Sequence, residues 1–178
     1  MIEKAADRLA GFIYEAADDA KFNKAILRYA LIIVVNFVLT ISFVMAVSAL
    51  FGYWEEVAFG LFIFIILRAI SGGYHFSTST PCFILTTLTA LAIPLVPLTV
   101  TGMNVLYAVS LVLFILFSPS NLQKQSRIPK KYYPVLKLVS VLFVGLTWPL
   151  YSEIMTMAIF TQALTMIHFT FWKGGENK

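Results

Sequence analysis

Apolar residues run through this chain in long blocks separated by short polar patches, and the blocks are long enough to cross a bilayer. A helix rises ~1.5 Å per residue and the hydrocarbon layer is about 30 Å thick, so a spanning helix needs roughly 20 mostly apolar residues. On that measure spans are expected at 27–50, 54–70, 82–100, 104–118, 134–151 and 154–172. The second and fourth are short, which calls for locally thinned lipid or for a re-entrant stretch between residues 70 and 82. Pro94 and Pro97 are expected to kink or end the third helix near its far end. Tyr53, Trp54, Trp148, Tyr151 and Trp172 fall near span ends, where amphipathic rings favour the interface.

Ahead of the first span the pattern changes. Ile2, Ala5, Ala6, Leu9, Phe12, Ile13, Ala16 and Ala20 recur at helical intervals while acids and bases fill the other face. This predicts an amphipathic helix lying among the lipid headgroups. The same stripe would also suit docking a partner helix or a second copy of the chain, the latter giving a homodimer.

Composition agrees with the pattern. With 60% hydrophobic residues, 12% charged and a mean hydropathy of +0.85, the chain lies outside the range of soluble domains. The fold class expected is therefore all-α: a polytopic membrane protein of about six transmembrane helices. Residues 1–24 form the interfacial helix, 25–172 a single transmembrane domain and 173–178 a cytoplasmic tail. No cleavable signal peptide is expected, because Glu3, Asp7, Glu15, Asp18 and Asp19 interrupt the first twenty residues.

Charge sets the orientation. Six crossings put both termini and all 13 Lys and Arg on one side, which marks that side as the cytoplasm; Glu55, Glu56 and Glu153 lie on the other. The loop from Ser71 to Pro81 then faces the cytosol. The long polar loop after Ser118-Pro119 carries Lys124, Arg127, Lys130 and Lys131, a cationic surface suited to anionic lipid or an acidic peptide. For most of the basic residues, setting topology is a sufficient role.

Candidate chemistry gathers in the loop after the second span. Cys82 is the only cysteine, which excludes an internal disulfide, and one cysteine with two histidines cannot build a thiolate zinc cage. No metal, cofactor or nucleic-acid partner is expected. Thr80 can serve as N-cap with Pro81 as the first helical residue, placing Cys82 in a first turn whose free amides favour a thiolate. His75 can act as its base, and the flexible Gly72-Gly73 pair lets the chain turn back. The amides of that turn, with Thr78 or Thr80, could receive an oxyanion. Arg68, costly near the bilayer without an anion, suits a substrate carboxylate. Against this, a lone cysteine is commonly a small buried hydrophobe. His168 is expected to pack among Met166, Phe169 and Phe171, and Asn36 and Gln162 to hydrogen-bond between helices.

Arg68, the Ser71-Gly72-Gly73-Tyr74-His75 stretch, Cys82, the multispan hydropathy and Ser118-Pro119 leading into a basic loop together resemble the accessory gene regulator B (AgrB) family of membrane endopeptidases. The resemblance covers nearly the whole chain, and its specific core is Arg-x6-His-x6-Cys. It implies that His75 and Cys82 are the catalytic pair, acting at the cytoplasmic face of a bacterial plasma membrane. It also implies that the substrate is an AgrD-like propeptide, matured into a cyclic autoinducing peptide for quorum sensing. Other intramembrane protease signatures are missing: there is no His-Glu-x-x-His, no Gly-x-Ser-x-Gly and no pair of intramembrane aspartates. The alternative is a small transporter or assembly scaffold in which Cys82 only packs, but the spans hold almost no charge beyond their ends.

The orientation is testable with the single thiol. In oriented vesicles, Cys82 is expected to react with a membrane-impermeant maleimide only when the cytoplasmic face is accessible. A cysteine at Ser152 in a Cys82→Ala background is expected to react only from outside; the reverse pattern would invert the topology.

Overall fold

The computed structural model describes residues 2–16, 23–73, 79–120, 129–150 and 152–167. Among the described residues all regular structure is helical, in seven α-helices: α1 (Ile2–Ala16), α2 (Lys24–Phe51), α3 (Trp54–Ser71), α4 (Ser79–Ala92), α5 (Val100–Phe117), α6 (Tyr133–Thr147) and α7 (Glu153–Met166). Short 3-10 turns cover Ile93–Leu95, Lys130–Tyr132 and Trp148–Leu150.

The helix ends follow local chemistry. Asn23 caps α2 by accepting the Ala25 N–H at 2.9 Å, and Thr99 caps α5 by accepting from Gly102 at 3.1 Å. Ser152 caps α7 through the Met155 N–H at 3.3 Å. At the far end of α2, Gly52 takes φ +81°, a left-handed turn open to glycine, and the Tyr53 N–H reaches back to the Ser48 carbonyl at 3.1 Å. Pro94 sits in the 3-10 turn that ends α4, so the third apolar block stops being α-helical at Ala92 and the expected stretch to residue 100 is too long. In the fourth block the helix begins at Val100, four residues before its expected start.

Three segments are long and apolar enough to cross a membrane: Ala25–Phe51, Val100–Phe117 and Lys130–Leu150. The other expected spans fall short for identifiable reasons. α3 holds three charges, Glu55 and Glu56 in its first turn and Arg68 in its last. Ser79–Leu95 is a shorter apolar helix, and α7 has 14 residues. Large apolar side chains nevertheless face outward on most helices, as with Leu88, Leu116 and Leu146, which are 63%, 65% and 75% exposed. That outward apolar surface is what lipid requires and water penalises.

The chain divides into two compact units, residues 1–54 with 75–91 and residues 55–74 with 92–178. In the first, α1 packs on α2 through a small-residue face: Ala6 and Ala10 are buried, while Leu9, Phe12 and Ile13 point outward. Asp7 pairs with Arg28 across this contact. The Phe43 and Phe83 rings of α2 and α4 meet at 5.7 Å between centroids. In the second unit, Ile63 and Leu67 of α3, Tyr107 and Phe114 of α5, Val144 of α6 and Ala158, Ile159 and Ala163 of α7 form one buried cluster. Tyr107 stacks on Trp148 at 5.8 Å and 8°, and the Trp148 indole N–H donates to Asn104 Oδ1 at 2.8 Å.

Lipid tails are as apolar as leucine, so helix association in this unit depends on close contact rather than on the hydrophobic effect. Gly60 marks such a contact: a Cβ there would meet Ile154 Cγ2 at 3.2 Å and Ile93 Cγ2 at 3.4 Å. Gly145 has nothing within 4 Å of a built Cβ. Gly60→Leu is therefore expected to destabilise the detergent-solubilised protein by about 1–3 kcal/mol through overpacking. Gly145→Leu is expected to leave the thermal unfolding midpoint unchanged or slightly raised, and fluorescence-detected size exclusion after heating distinguishes the two.

Candidate functional site

Candidate chemistry lies at two places, one in each unit. The first is the start of α4. The helix begins at Ser79, so Thr80 is its second residue, Pro81 its third and the half-buried Cys82 its fourth. Thr80 is thus not the cap, and Cys82 sits where the first turn passes into the second. Ser79, Thr80 and Pro81 can each stand at a helix start, so the Thr80-Pro81 pair alone does not fix where the helix begins. Pro81 has no N–H to lose and is tolerated anywhere in a first turn, so it does not fix the register.

What receives the first amide is a residue from elsewhere. The Ser79 N–H donates to Glu3 Oε1 of α1 at 3.4 Å. Hydrogen bonds from its own backbone and from the Ser79 backbone hold the Glu3 carboxyl below its ordinary value of 4.5. No pattern in the sequence links an acid at position 3 to a helix start 76 residues later.

The second place is the corner after α3. Gly72 and Gly73 are buried at φ +70° and +143°, both in the region that glycine occupies without strain. The Gly72 N–H closes on the Arg68 carbonyl at 3.0 Å, ending the helix. The Ser120 N–H then donates to the Ser71 carbonyl at 2.9 Å, and the Gly73 N–H to the Ser120 carbonyl at 3.0 Å, a single parallel bridge between residues 72 and 120. Ser120, just past the cis Ser118-Pro119 peptide, also sends its hydroxyl to the Met166 carbonyl at 3.2 Å.

Gln162 fills the middle of this corner, fully buried. Its Nε2 donates to Ser71 Oγ at 2.9 Å and to the Gly72 carbonyl at 2.6 Å. Thr165 Oγ1 bonds the Gln162 carbonyl at 2.8 Å and Oε1 at 3.1 Å, and itself receives Arg68 Nη1 at 3.2 Å. The half-buried Arg68 guanidinium also lies over the Phe64 ring at 5.7 Å. A Cβ on Gly73 would fall 2.9 Å from both Arg68 Nη1 and Thr165 Oγ1, so this position has room only for glycine.

Arg68, Gly72 and Gly73 are thus brought together, whereas Thr80 and Cys82 share the start of α4. Lys130 and Lys131 are exposed at the turn before α6, with Lys131 Nζ 4.9 Å from the centre of the Tyr132 ring. His75, Thr78, Lys124, Arg127 and His168 lie outside the described residues. The expectation for Gln162 is met by its bonds to Ser71 and Gly72 of α3's end, but Asn36 Oδ1 is buried without a hydrogen-bond partner among the described residues. Among the described residues no group of three or more His, Cys, Asp or Glu could hold a metal ion. Ser120 and Thr165 are not singled out by sequence, and Ser71 only as the first residue of the Ser71–His75 stretch. Serine and threonine are common in membrane helices as self-satisfied hydroxyls, and nothing local separates these three from Thr40 or Ser110, which bond their own helix.

Residues 6–172 match the family accessory gene regulator B, which covers Arg68, Cys82 and the whole stretch between them. The chain belongs to the AgrB family. No curated protein and no solved structure matches it. An AgrB protein takes part in the peptide processing of the accessory gene regulator quorum-sensing system, and the apolar helices make this one a membrane protein.

The Glu3 contact generates a pH prediction. The folded carboxyl titrates lower than the unfolded one, so its anchoring is fully present above about pH 4.5 and is lost as pH falls through the lowered value. At neutral pH, Glu3→Gln is expected to speed amide hydrogen exchange at the start of α4, and wild-type protein is expected to approach that rate on acidification. Equal exchange in the two proteins at pH 7 would show that the contact does not hold the helix start.

Proposed function

We propose that this AgrB protein is a membrane-embedded cysteine endopeptidase that removes the C-terminal tail of an AgrD-like propeptide, with Cys82 as nucleophile and His75 as its acid–base partner. The observation that carries the reading is the family match running through Arg68, the Gly72-Gly73 turn, His75 and Cys82 in one segment. The free thiol near the beginning of a helix, half-buried and with no second cysteine to pair with, supports the same role.

In the proposed reaction His75 takes the Cys82 proton and the thiolate attacks the carbonyl carbon at the end of the future pheromone, giving a tetrahedral oxyanion. Collapse breaks the C–N bond, His75 returns the proton to the departing amine, and a thioester to Cys82 remains. A cysteine within the propeptide then attacks the thioester; one thioester replaces another, the ring closes as a thiolactone and Cys82 regains its thiol. A serine in that position would give a lactone. Water is disfavoured by a tethered nucleophile of high effective molarity in a dry site.

The backbone narrows the groups that could stabilise the oxyanion. Pro81 brings no N–H and that of Ser79 is engaged by Glu3, so among the first three amides of α4 the role falls on Thr80. Arg68, Gly72 and Gly73 are read as substrate-binding or oxyanion support on the strength of the same family segment. Exposed Lys130 and Lys131, with Lys124 and Arg127, would receive an acidic propeptide tail at the cytoplasmic face. The outward Leu9, Phe12 and Ile13 of α1 suit the lipid headgroup region or a second copy, and the remaining apolar helices complete six spans with both termini cytoplasmic.

Co-expression with an AgrD-like propeptide tests the assignment. Cys82→Ala, Cys82→Ser and His75→Ala are each expected to insert normally and to abolish tail removal on immunoblots, because a serine hydroxyl does not ionise in the accessible range. His168→Ala is expected to process normally. Cleavage by either Cys82 variant would remove it as the nucleophile.

A further inference from the structure

The described residues before His75 end at Gly73, and the turn that carries Gly73 is held by one buried amide together with Ser120. Gln162 gives one N–H to Ser71 Oγ and the other to the Gly72 carbonyl, at 2.9 and 2.6 Å. Ser71 passes the chain of bonds to the Leu67 carbonyl at 2.7 Å, so the last turn of α3 is tied to the same point. On the other side Thr165 joins Gln162 to Arg68. Both donors of the Gln162 amide are used and its oxygen is bonded, in a position with no solvent exposure. A side chain so saturated holds one rotamer, and it holds the Gly72 carbonyl with it.

Glycine pairs are the softest part of a backbone, yet here neither glycine is free to use that softness. Gly72 is bonded at its N–H by Arg68 and at its carbonyl by Gln162, and Gly73 is bonded at its N–H by Ser120. The left-handed conformations are needed for the turn, and the partners from α7 and the 118–120 segment then lock it. His75 follows two residues beyond Gly73.

We propose that Gln162, seconded by Thr165, is a positioning residue for the peptide-processing reaction: it locks the Gly72-Gly73 turn and thereby the point from which the chain runs on to His75. This rests on the reading that His75 and Cys82 form the reactive pair. Gln162 and Thr165 touch neither substrate nor thiol; they act through the turn. A displacement of about 1 Å at a catalytic group costs on the order of 10²-fold in rate, which sets the scale of the effect.

The test uses the full-length protein in lipid nanodiscs, with iodoacetamide as the probe. Alkylation of Cys82, the only cysteine, is followed against pH, beside tail removal from a co-reconstituted AgrD-like propeptide. His75→Ala provides the reference shift of the alkylation profile. Gln162→Leu, close in volume but without its amide, is expected to shift the profile in the same direction and to lower the processing rate on the order of 10²-fold with KM little changed. Thr165→Val, a smaller change that keeps the shape, is expected to give a lesser shift in the same direction and decides the matter if Gln162→Leu fails to fold. Asn104→Leu removes a polar bond to Trp148 in the same unit and is expected to keep the wild-type profile. A shifted His75→Ala profile with wild-type profiles for Gln162→Leu and Thr165→Val would overturn the positioning role and leave the Cys–His pair standing. An unshifted His75→Ala profile would instead sink the pair, and the proposal with it. A shift in Asn104→Leu equal to that in Gln162→Leu would reduce the effect to general loss of packing and also overturn the proposal.

Discussion

A helix that ends inside an apolar protein leaves carbonyls that water cannot reach, and the Gln162 amide is what answers that constraint at the end of α3. The Gly72 carbonyl belongs to a buried residue next to a buried serine, where an unmet polar group costs about 1–3 kcal/mol. Gln162 meets it from a helix 90 residues further along the chain, and Ser120 meets the neighbouring groups from a third segment. Three distant stretches are therefore fixed relative to one another within the second unit by polar bonds rather than by oily contact. In lipid this is the stronger device, since apolar surface gains nothing by leaving one hydrocarbon neighbour for another. The apolar cluster of Leu67, Phe114, Ile159 and Ala163 supplies close packing around the polar centre; the bonds supply its uniqueness.

The hydroxyls elsewhere in the helices follow the same rule at lower stakes. Thr40 and Ser110 each donate to a carbonyl four residues back in their own helix, both at 2.7 Å. Such a bond satisfies the hydroxyl but joins nothing to anything else. Only where a hydroxyl meets a second element does it carry architecture, as Ser118 does with Ser140 at 2.8 Å between the end of α5 and α6. The distinction explains why the corner beside Gly73 is held by bonds from other segments although its glycine pair reads as flexible in the sequence.

How much of this the sequence discloses depends on the range of the interaction. The helices and their apolar character are legible because hydrophobic runs act within a few residues, and Pro94 stands where α4 gives out; the caps Asn23 and Thr99 fall outside the expected spans, so α2 and α5 begin three and four residues before those spans. The α-helix is already formed at Ser79, two residues before the Pro81 start read from sequence, because adjacent residues can each begin a helix and the contact of the Ser79 N–H with Glu3 comes from another element. Gln162 announces itself as an amide in an apolar helix that must find a partner, but not which partner. Thr165 and Ser120 announce nothing, because their partners are 97 and 46 residues away and no periodicity relates them. The count of spans is the weakest inference, since α3 and α7 are helices whose charge or length leaves their depth in the membrane to their neighbours.

The positions of the charges bear on why a peptide would be processed here at all. Arg68 lies in the last turn of α3, Glu55 and Glu56 in its first, Glu153 in the first turn of α7, and Lys130 and Lys131 at the turn before α6, so among the described residues beyond α1 charge stays toward helix ends. Charge deeper in the hydrocarbon costs at least ~2.5–3.5 kcal/mol per residue, which forbids an acidic substrate tail from entering. A propeptide with such a tail can therefore insert its apolar part only up to the polar boundary, and the bond between the two parts stops at that boundary. On the proposed function this is where Cys82 stands, near the start of its helix. Exchange of one thioester for another has little driving force of its own, so the outcome is decided by which nucleophile arrives first. A membrane edge lowers the supply of water without burying the charged tail, and it favours the nucleophile already tethered to the acyl group.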